Sequence, residues 1–223
     1  MIKSVFTIQE AMTMSRIIGI NGSPRANWNS AKLLDSALHG AKDNGADVRR
    51  IDLYSLNYTG CRSCFACKLL GSPTFGRCAI NDDLKPVLED ILSADGLIIS
   101  SPIYFGSAPG MVRSFCERLW FPSHTYSTDG SVAYDLHLKV GLMYSMNVPS
   151  DSFYTDFIES EKEKFSSMVG PTAVFSAVDT LQFSDYSKYA SAAFNAEHKK
   201  QHHEESFPED LSRAYEFGRS LLG

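Results

Sequence analysis

Short apolar runs alternate with longer amphipathic stretches along the chain after residue 15. Five runs predict β-strands: Arg16–Gly22, Asp47–Leu53, Gly96–Ser101, Leu138–Ser145 and Thr172–Val178. The third run (GLIISS) is apolar along its first four positions, which is typical of a strand buried on both faces of a parallel sheet. The second run (DVRRIDL) is less hydrophobic, so we expect it near an edge of the sheet.

Helices are predicted between these strands, where apolar residues recur at helical spacing. Their ranges are Ala31–Asn44, Asp82 or Asp83 to Ala94, Met111–Leu119, Phe153–Met168 and Pro208–Leu222. Gly45 can end the first helix in the left-handed conformation, and an aspartate can cap the second. The polar segment KKQHHEE, with His202 and His203, is predicted to be solvated. Strands that alternate with helices indicate a three-layer, doubly wound α/β protein with a parallel sheet.

Two strand orders are compatible with this pattern, the Rossmann order and the order 2-1-3-4-5. In the second order, strands 1 and 3 are neighbours and the winding of the sheet reverses between them. The loops that leave these strands then flank a crevice. In this chain, both loops have an unusual composition: NGSPRANWN follows strand 1 and SPIYFGSAPG follows strand 3.

Composition and charge exclude some classes of function. The chain has 223 residues, of which 43% are hydrophobic, and a net charge of −5, whereas nucleic-acid-binding domains are usually basic. No apolar run approaches the roughly 20 residues of a membrane span, and the first fourteen residues lack the features of a secretory signal. We therefore expect a cytoplasmic protein with an extension over residues 1–15 and one domain over 16–223. Its five cysteines are then thiols or ligands.

The loop after the first strand places small polar side chains at the start of a helix. It has neither the G-x-G-x-x-G of a dinucleotide loop nor the G-K-[ST] of a Walker loop. Instead, Ser23, Arg25, Asn27, Asn29 and Ser30, together with the N–H groups of the helix start near Ala31, form a cradle for an anion. The alternative is that Asn29 or Ser30 only caps the helix and that Arg25 is solvated.

The loop after the third strand provides a flat apolar ledge. Pro102 fixes its own φ angle, and Gly106 lets the backbone approach a ligand closely. Between them lie Ile103, Tyr104 and Phe105, which offer apolar and aromatic surface. The alternative is a turn between a strand and a helix, in which the two aromatic residues only cover the core.

Four cysteines, Cys61, Cys64, Cys67 and Cys78, are spaced as C-x2-C-x2-C-x10-C within an insertion at about residues 58–81. Three thiolates at this spacing can converge on an iron–sulfur cluster, and the fourth closes the set. Zinc sites more often have two separated C-x2-C pairs. Reduced thiols or a redox pair are the third alternative, and the spacing leaves all three open.

Together these motifs resemble the NADPH-dependent FMN reductases, and more closely the iron–sulfur flavoproteins with a flavodoxin-like fold. The resemblance rests on GINGSPRANWNSAKLL, on GCRSCFACK…RCAINDDL and on ADGLIISSPIYFGSAPGMVRSFCERL. It implies the flavodoxin-like order 2-1-3-4-5 and bound FMN, with the phosphate on Ser23, Arg25, Asn29 and Ser30 and the ring against Pro102 to Gly106. Members often carry Gly-Asn-Thr where this chain has Trp28-Asn29-Ser30, so Trp28 is a departure.

The resemblance also implies an activity. NAD(P)H would reduce FMN by hydride transfer, and the electrons would pass to a flavin, a quinone or another small acceptor. Because the cofactor carries this chemistry, we expect binding residues and no catalytic side chain. The loops after strands 4 and 5, with Ser145 and Asn147 in the first and Val178–Thr180 in the second, are expected to close the site.

Two further expectations concern partners. Similar proteins bind a 4Fe–4S cluster and have a shorter gap before the last cysteine. If this chain also holds a cluster, it could be an electron carrier that acts with a redox protein. This is the alternative to an enzyme. The family usually forms homodimers or homotetramers, so we expect such an assembly here.

Overall fold

The structure is a computed structural model that describes residues 14–129, 131–133 and 136–223. The predicted extension over residues 1–15 therefore lies almost entirely outside the described residues. Among the described residues, no helix combines the length and the apolar character that a bilayer crossing demands. The division of the chain into an extension and one domain with an insertion stays a prediction.

Five parallel strands form one sheet in the order β2-β1-β3-β4-β5, which confirms the predicted flavodoxin-like order. The strands are β1 (Arg16–Asn21), β2 (Asp47–Asp52), β3 (Gly96–Pro102), β4 (Lys139–Ser145) and β5 (Thr172–Ala177). Every strand ends within one residue of its predicted bounds. The less hydrophobic β2 lies at an edge of the sheet, as expected.

Six α-helices accompany the strands in the described part of the chain. They are α1 (Asn29–Asp43), α2 (Leu84–Ile91), α3 (Gly110–Ser123), α4 (Thr155–Met168), α5 (Ala196–Glu205) and α6 (Phe207–Ser220). The sequence pattern missed α5, because this helix has no apolar stripe. Its first turn is capped by Asn195, whose side chain accepts a hydrogen bond from the N–H of His198 at 3.0 Å. Of the two aspartates considered as caps for α2, Asp82 accepts the N–H of Leu84 at 3.2 Å.

Two hydrophobic layers bury the sheet on both faces. One layer packs side chains such as Ile20 and Ile99 against α2, α3 and α4. The other packs α1 and α6 against the opposite face. These two helices approach so closely that a Cβ on Gly218 would lie 1.9 Å from the carbonyl oxygen of Ala37. With both faces covered, the carboxyl ends of the strands remain as the place where a ligand can enter.

Candidate functional site

A cleft of about 340 Å³ lies at the carboxyl ends of β1, β3, β4 and β5. Small-molecule sites have volumes of roughly 300–1,000 Å³, so the cleft falls in the lower part of that range. Most of the residues that the sequence predicts for the crevice line it; Asn27, Ala31, Gly106, Val178 and Asp179 do not. The lining residues are Ser23, Arg25, Trp28, Asn29, Ser30, Pro102, Ile103, Tyr104, Phe105, Ser145, Met146, Asn147, Tyr154, Thr180, Leu181 and Gln182.

The start of α1 forms one end of the cleft. Trp28 occupies the N-cap position, and no side chain caps the helix there. Asn29 and Ser30 are buried beside this turn, and the Oγ atoms of Ser30 and Ser145 lie 2.7 Å apart, which joins α1 to the end of β4. Ala31 is fully buried behind them. An uncapped helix start with polar neighbours favours an anionic ligand.

Hydrogen bonds from the neighbouring strand fix the shape of the first loop. The side chain of Asn21 accepts the N–H of Ser23 at 3.1 Å and donates to Asp52 Oδ1 at 2.6 Å. The Oγ of Ser23 in turn accepts the N–H of Arg25 at 3.1 Å. Arg50 on β2 supports the same loop, because its guanidinium donates to the carbonyl oxygen of Ala26 at 2.6 Å. The loop is therefore held in shape without a ligand.

Three side chains of the first loop reach across to the segment that follows β5. Arg25 donates to the carbonyl oxygen of Gln182 at 2.5 Å, and the indole N–H of Trp28 donates to that of Leu181 at 2.9 Å. Asn29 donates to the same Leu181 oxygen at 2.8 Å. We call this set of contacts between residues 25–29 and 181–182 the strap. Sequence reasoning missed Leu181 and Gln182, because they contribute backbone carbonyls, which no side-chain motif marks.

The loop after β3 also lines the cleft and turns sharply there. Tyr104 and Ser107 exchange two backbone hydrogen bonds, at 2.8 and 3.1 Å, around Phe105 and Gly106. Both central residues have positive φ angles, 51° and 75°, as in a type I′ turn. A residue other than glycine in this conformation costs about 1–3 kcal/mol. Gly106 therefore serves the turn and does not line the cleft, while Phe105 lines it and is fully exposed.

A buried ion pair holds the far wall of the cleft together. Lys199 on α5 contacts Asp179 and donates to the carbonyl oxygen of Asn147 at 2.6 Å. His198 Nε2 lies 2.7 Å from the other carboxylate oxygen. Burial opposes ionisation of Asp179, but its hydrogen bonds to Lys199 and His198 prevail and hold its pKa below the usual range. The prediction that this segment is a solvated charged one is therefore wrong for Lys199, which is only 4% exposed.

The four cysteines of the predicted insertion all border one small pocket beside α3. Ser63 and Phe65, which separate the first three cysteines, have positive φ angles of 51° and 56°. Arg118 on α3 is fully buried and donates from Nε to the Sγ of Cys78 at 2.8 Å. Burial raises the pKa of Cys67, against the opposing charge of Lys68.

The four thiol groups are not arranged as a set of metal ligands in the described part of the chain. Within the described ranges, no group of three or more His, Cys, Asp or Glu side chains is arranged to hold a metal ion. The five cysteines are free thiols, and Cys116 is buried in α3. The cysteines are thus suitable ligands for an iron–sulfur cluster, but their side chains are not positioned to bind one together.

A parallel sheet of order 2-1-3-4-5 with a cleft at its carboxyl ends defines a flavodoxin-like protein. The family description "NADPH-dependent FMN reductase" matches residues 15–148, and the chain belongs to this family. The predicted family is therefore confirmed.

Individual relatives agree with this assignment. An iron–sulfur flavoprotein of Methanosarcina thermophila is 32% identical over 103 residues, 46% of this chain and 51% of that protein. The chain thus matches about half the length of such curated relatives.

Among solved structures, an NAD(P)H:quinone oxidoreductase from Methanothermobacter marburgensis has a TM-score of 0.66 at 16% identity, with 95% of this chain and 98% of that chain covered. An FMN-dependent NADH-azoreductase from Bacillus anthracis, in complex with FMN, has a TM-score of 0.57 at 16% identity over 92% of this chain and 100% of that chain. At this level of identity, the two structures support the fold.

Proposed function

We propose that the cleft binds FMN and that the protein is an NAD(P)H-dependent FMN oxidoreductase with a small-molecule acceptor such as a flavin or a quinone. The observation that carries this proposal is the convergence of the two loops on one cleft. The polar loop with an uncapped helix start and the aromatic turn both line this cleft. Membership of the FMN reductase family supports the same ligand.

The residues of the cleft suit the two ends of FMN. Ser23, Ser30 and the amide of Asn29 offer neutral donors to a phosphate, and Arg25 adds a charge-assisted donor. Pro102, Ile103, Tyr104 and Phe105 supply the surface for the flat ring, with Ser145 and Asn147 beside it. Bound FMN would supply hydride and electron chemistry. The described cleft residues are then needed for binding, orientation and exclusion of water rather than for proton transfer.

Rapid reduction by a nicotinamide cofactor tests this function. The purified protein, reconstituted with FMN and mixed anaerobically with NADPH or NADH in a stopped-flow instrument, is expected to lose its flavin absorbance within seconds. A control with free FMN at the same concentration gives the rate without protein. The proposal is wrong if the protein binds no FMN, or if the bound flavin is reduced no faster than the control.

The cysteine segment favours a second function, an electron carrier with a redox protein as partner. The four cysteines border one pocket, and Arg118 and Lys68 place positive charge beside it, which would offset the charge of thiolates. The curated relatives that the chain matches are named iron–sulfur flavoproteins. Cluster assembly would have to draw the four thiols together around this pocket.

Metal analysis of anaerobically purified protein separates the alternatives for the cysteines. If the segment holds a 4Fe–4S cluster, we expect about four iron atoms and as many inorganic sulfides per chain. Ser replacement of Cys78 should remove most of the iron, whereas Ser replacement of the buried Cys116 should not. Absence of iron in the unmodified protein, with five titratable thiols, would contradict the cluster.

The assembly into homodimers or homotetramers is proposed on the family resemblance and is checked by measuring the mass of the protein in solution.

A further inference from the structure

A pair of stacked aromatic rings lies on the segment that continues from the strap. The rings of Phe183 and Tyr189 are nearly parallel, with 14° between their planes and 4.1 Å between their centroids. Phe183 directly follows Gln182, which lines the cleft. One face of the Tyr189 ring is covered by Phe183, yet Tyr189 is 55% exposed, so its other face is open to solvent. We call these two rings the aromatic platform.

Hydrogen bonds hold the aromatic platform in place beside the cleft. The hydroxyl of the buried Tyr186 accepts the N–H of Gln182 at 3.1 Å and donates to Gln182 Oε1 at 2.6 Å. The ring of Tyr186 meets Phe183 edge-on, with 5.2 Å between centroids. The N–H of Tyr189 donates to the carbonyl oxygen of Tyr186 at 3.2 Å, and the hydroxyl of Ser191 donates to that of Tyr189 at 3.2 Å. A ligand could therefore stack on the platform without first ordering it.

FMN does not account for the open face of Tyr189. Two other exposed aromatic residues, Tyr104 and Phe105, line the cleft and are assigned to the flavin ring, whereas Tyr189 does not line it. The cleft of about 340 Å³ is near the lower end of the range for a single small ligand, and that space is assigned to FMN. A nicotinamide dinucleotide that brings its nicotinamide into the cleft must then leave its adenosine outside, on the rim.

We propose that the aromatic platform binds the adenine of the nicotinamide cofactor, on the open face of Tyr189. This inference rests on the proposed function and adds where the second half of that cofactor binds. Adenine is flat and aromatic, and stacking of a base on an aromatic side chain needs no pocket of hydrogen-bonding groups. Tyrosine also suits this role because it provides a large contact surface at a low cost in side-chain entropy.

Two measurements on the FMN-loaded protein test the inference. Calorimetric titration with ADP-ribose, which carries the adenosine but no nicotinamide, gives its Kd without turnover. In Tyr189→Ala we expect this Kd to rise by roughly 5- to 30-fold, as for the loss of one aromatic partner of a base. Anaerobic stopped-flow reduction then compares NADPH, or NADH where it reacts faster, with reduced nicotinamide mononucleotide, which lacks the adenosine. The advantage of the dinucleotide in kcat/KM should fall by the same factor.

Three further variants serve as controls. Tyr189→Phe keeps the ring and should retain most of the affinity for ADP-ribose. Tyr189→Leu keeps apolar bulk on Phe183 without an aromatic face and should behave as Tyr189→Ala does, which covers an alanine variant that does not fold by circular dichroism. Tyr126→Ala removes another exposed ring, which does not line the cleft, and should change neither measurement.

The inference and the proposed function can fail separately. An unchanged Kd for ADP-ribose in folded Tyr189→Ala overturns the inference, and so does a lack of ADP-ribose binding to the unmodified protein. Weaker FMN binding in Tyr189→Ala also overturns it, because the ring would then serve the flavin. In each of these cases the proposed function stands if NADPH or NADH still reduces the bound flavin. If neither does, the proposed function fails.

Discussion

Replacement of Asn29 by aspartate should weaken FMN binding by roughly 30- to 100-fold, or 2–3 kcal/mol. Asn29 is buried beside the uncapped start of α1, where we propose that the phosphate binds. Aspartate has nearly the same size, but it exchanges the amide donor, which also binds the carbonyl oxygen of Leu181, for a negative charge. It would therefore repel the phosphate and could no longer donate to it. Fluorescence titration of the apoprotein with FMN measures the effect.

Two controls make this result specific. Asn27→Asp introduces the same charge two residues away, at an exposed position that does not line the cleft, and should change FMN affinity little. Riboflavin has no phosphate, so its affinity for Asn29→Asp reports only the lost bond to Leu181 and should fall much less than that of FMN. If both variants lose the same affinity for FMN, the added charge acts over a distance and not through a contact between residue 29 and the phosphate. An unchanged affinity for FMN in Asn29→Asp would place the phosphate elsewhere.

The fold was predictable because burial imposes a regular pattern. β1 and β3 lie between other strands and are covered by helices on both faces, so each contains a continuous apolar run. Their bounds could therefore be read from composition. The end of α3 could not be read in this way. The helix continues past Leu119 to Ser123, and a tertiary contact supports this last turn. Trp120 packs edge-on against Phe165 of α4, with 5.0 Å between ring centroids.

Sequence reasoning found the two loops of the cleft, because each combines a buried strand with residues of unusual composition. It missed what holds the far wall. α5 has no apolar stripe, and Lys199 is buried through contacts with Asp179, 20 positions earlier in the chain, and with a backbone carbonyl. An ion pair between distant residues leaves no periodic signal. The charged run KKQHHEE therefore predicted solvent exposure, whereas Lys199, its first residue, is buried in the structure.

The buried pair is also expected to stabilise the protein. Because the pKa of Asp179 is lowered in the folded state, its contribution is present at neutral pH, above the ordinary aspartate pKa of about 3.9. The contribution is lost as the pH falls through the lowered pKa. To the extent that Asp179 determines acid stability, acid unfolding of the unmodified protein should therefore begin at a pH below about 3.9.

Lys199→Met should lower the free energy of unfolding by about 3–5 kcal/mol, because it leaves the Asp179 carboxylate buried without its main partner. For a protein of this size, that corresponds to a fall in Tm of roughly 6–20 °C. Lys200→Met is the matched control, since this neighbouring lysine is exposed and its nearest carboxylate oxygen, on Glu204, is 3.8 Å away. Thermal unfolding at neutral pH, followed by circular dichroism, measures both variants.

A double variant identifies the cause of the loss. Asp179→Asn removes the buried charge, and asparagine tolerates the positive φ angle of 52° at this position. Combined with Lys199→Met, it should recover part of the stability that Lys199→Met alone loses, since no uncompensated charge then remains. If the double variant is instead less stable by the sum of the two single losses, the lysine does not act through its pairing with Asp179, and its bond to Asn147 and its packing account for the loss. Because Lys199 also holds Asn147, we expect FMN affinity to fall in both variants that lack the lysine.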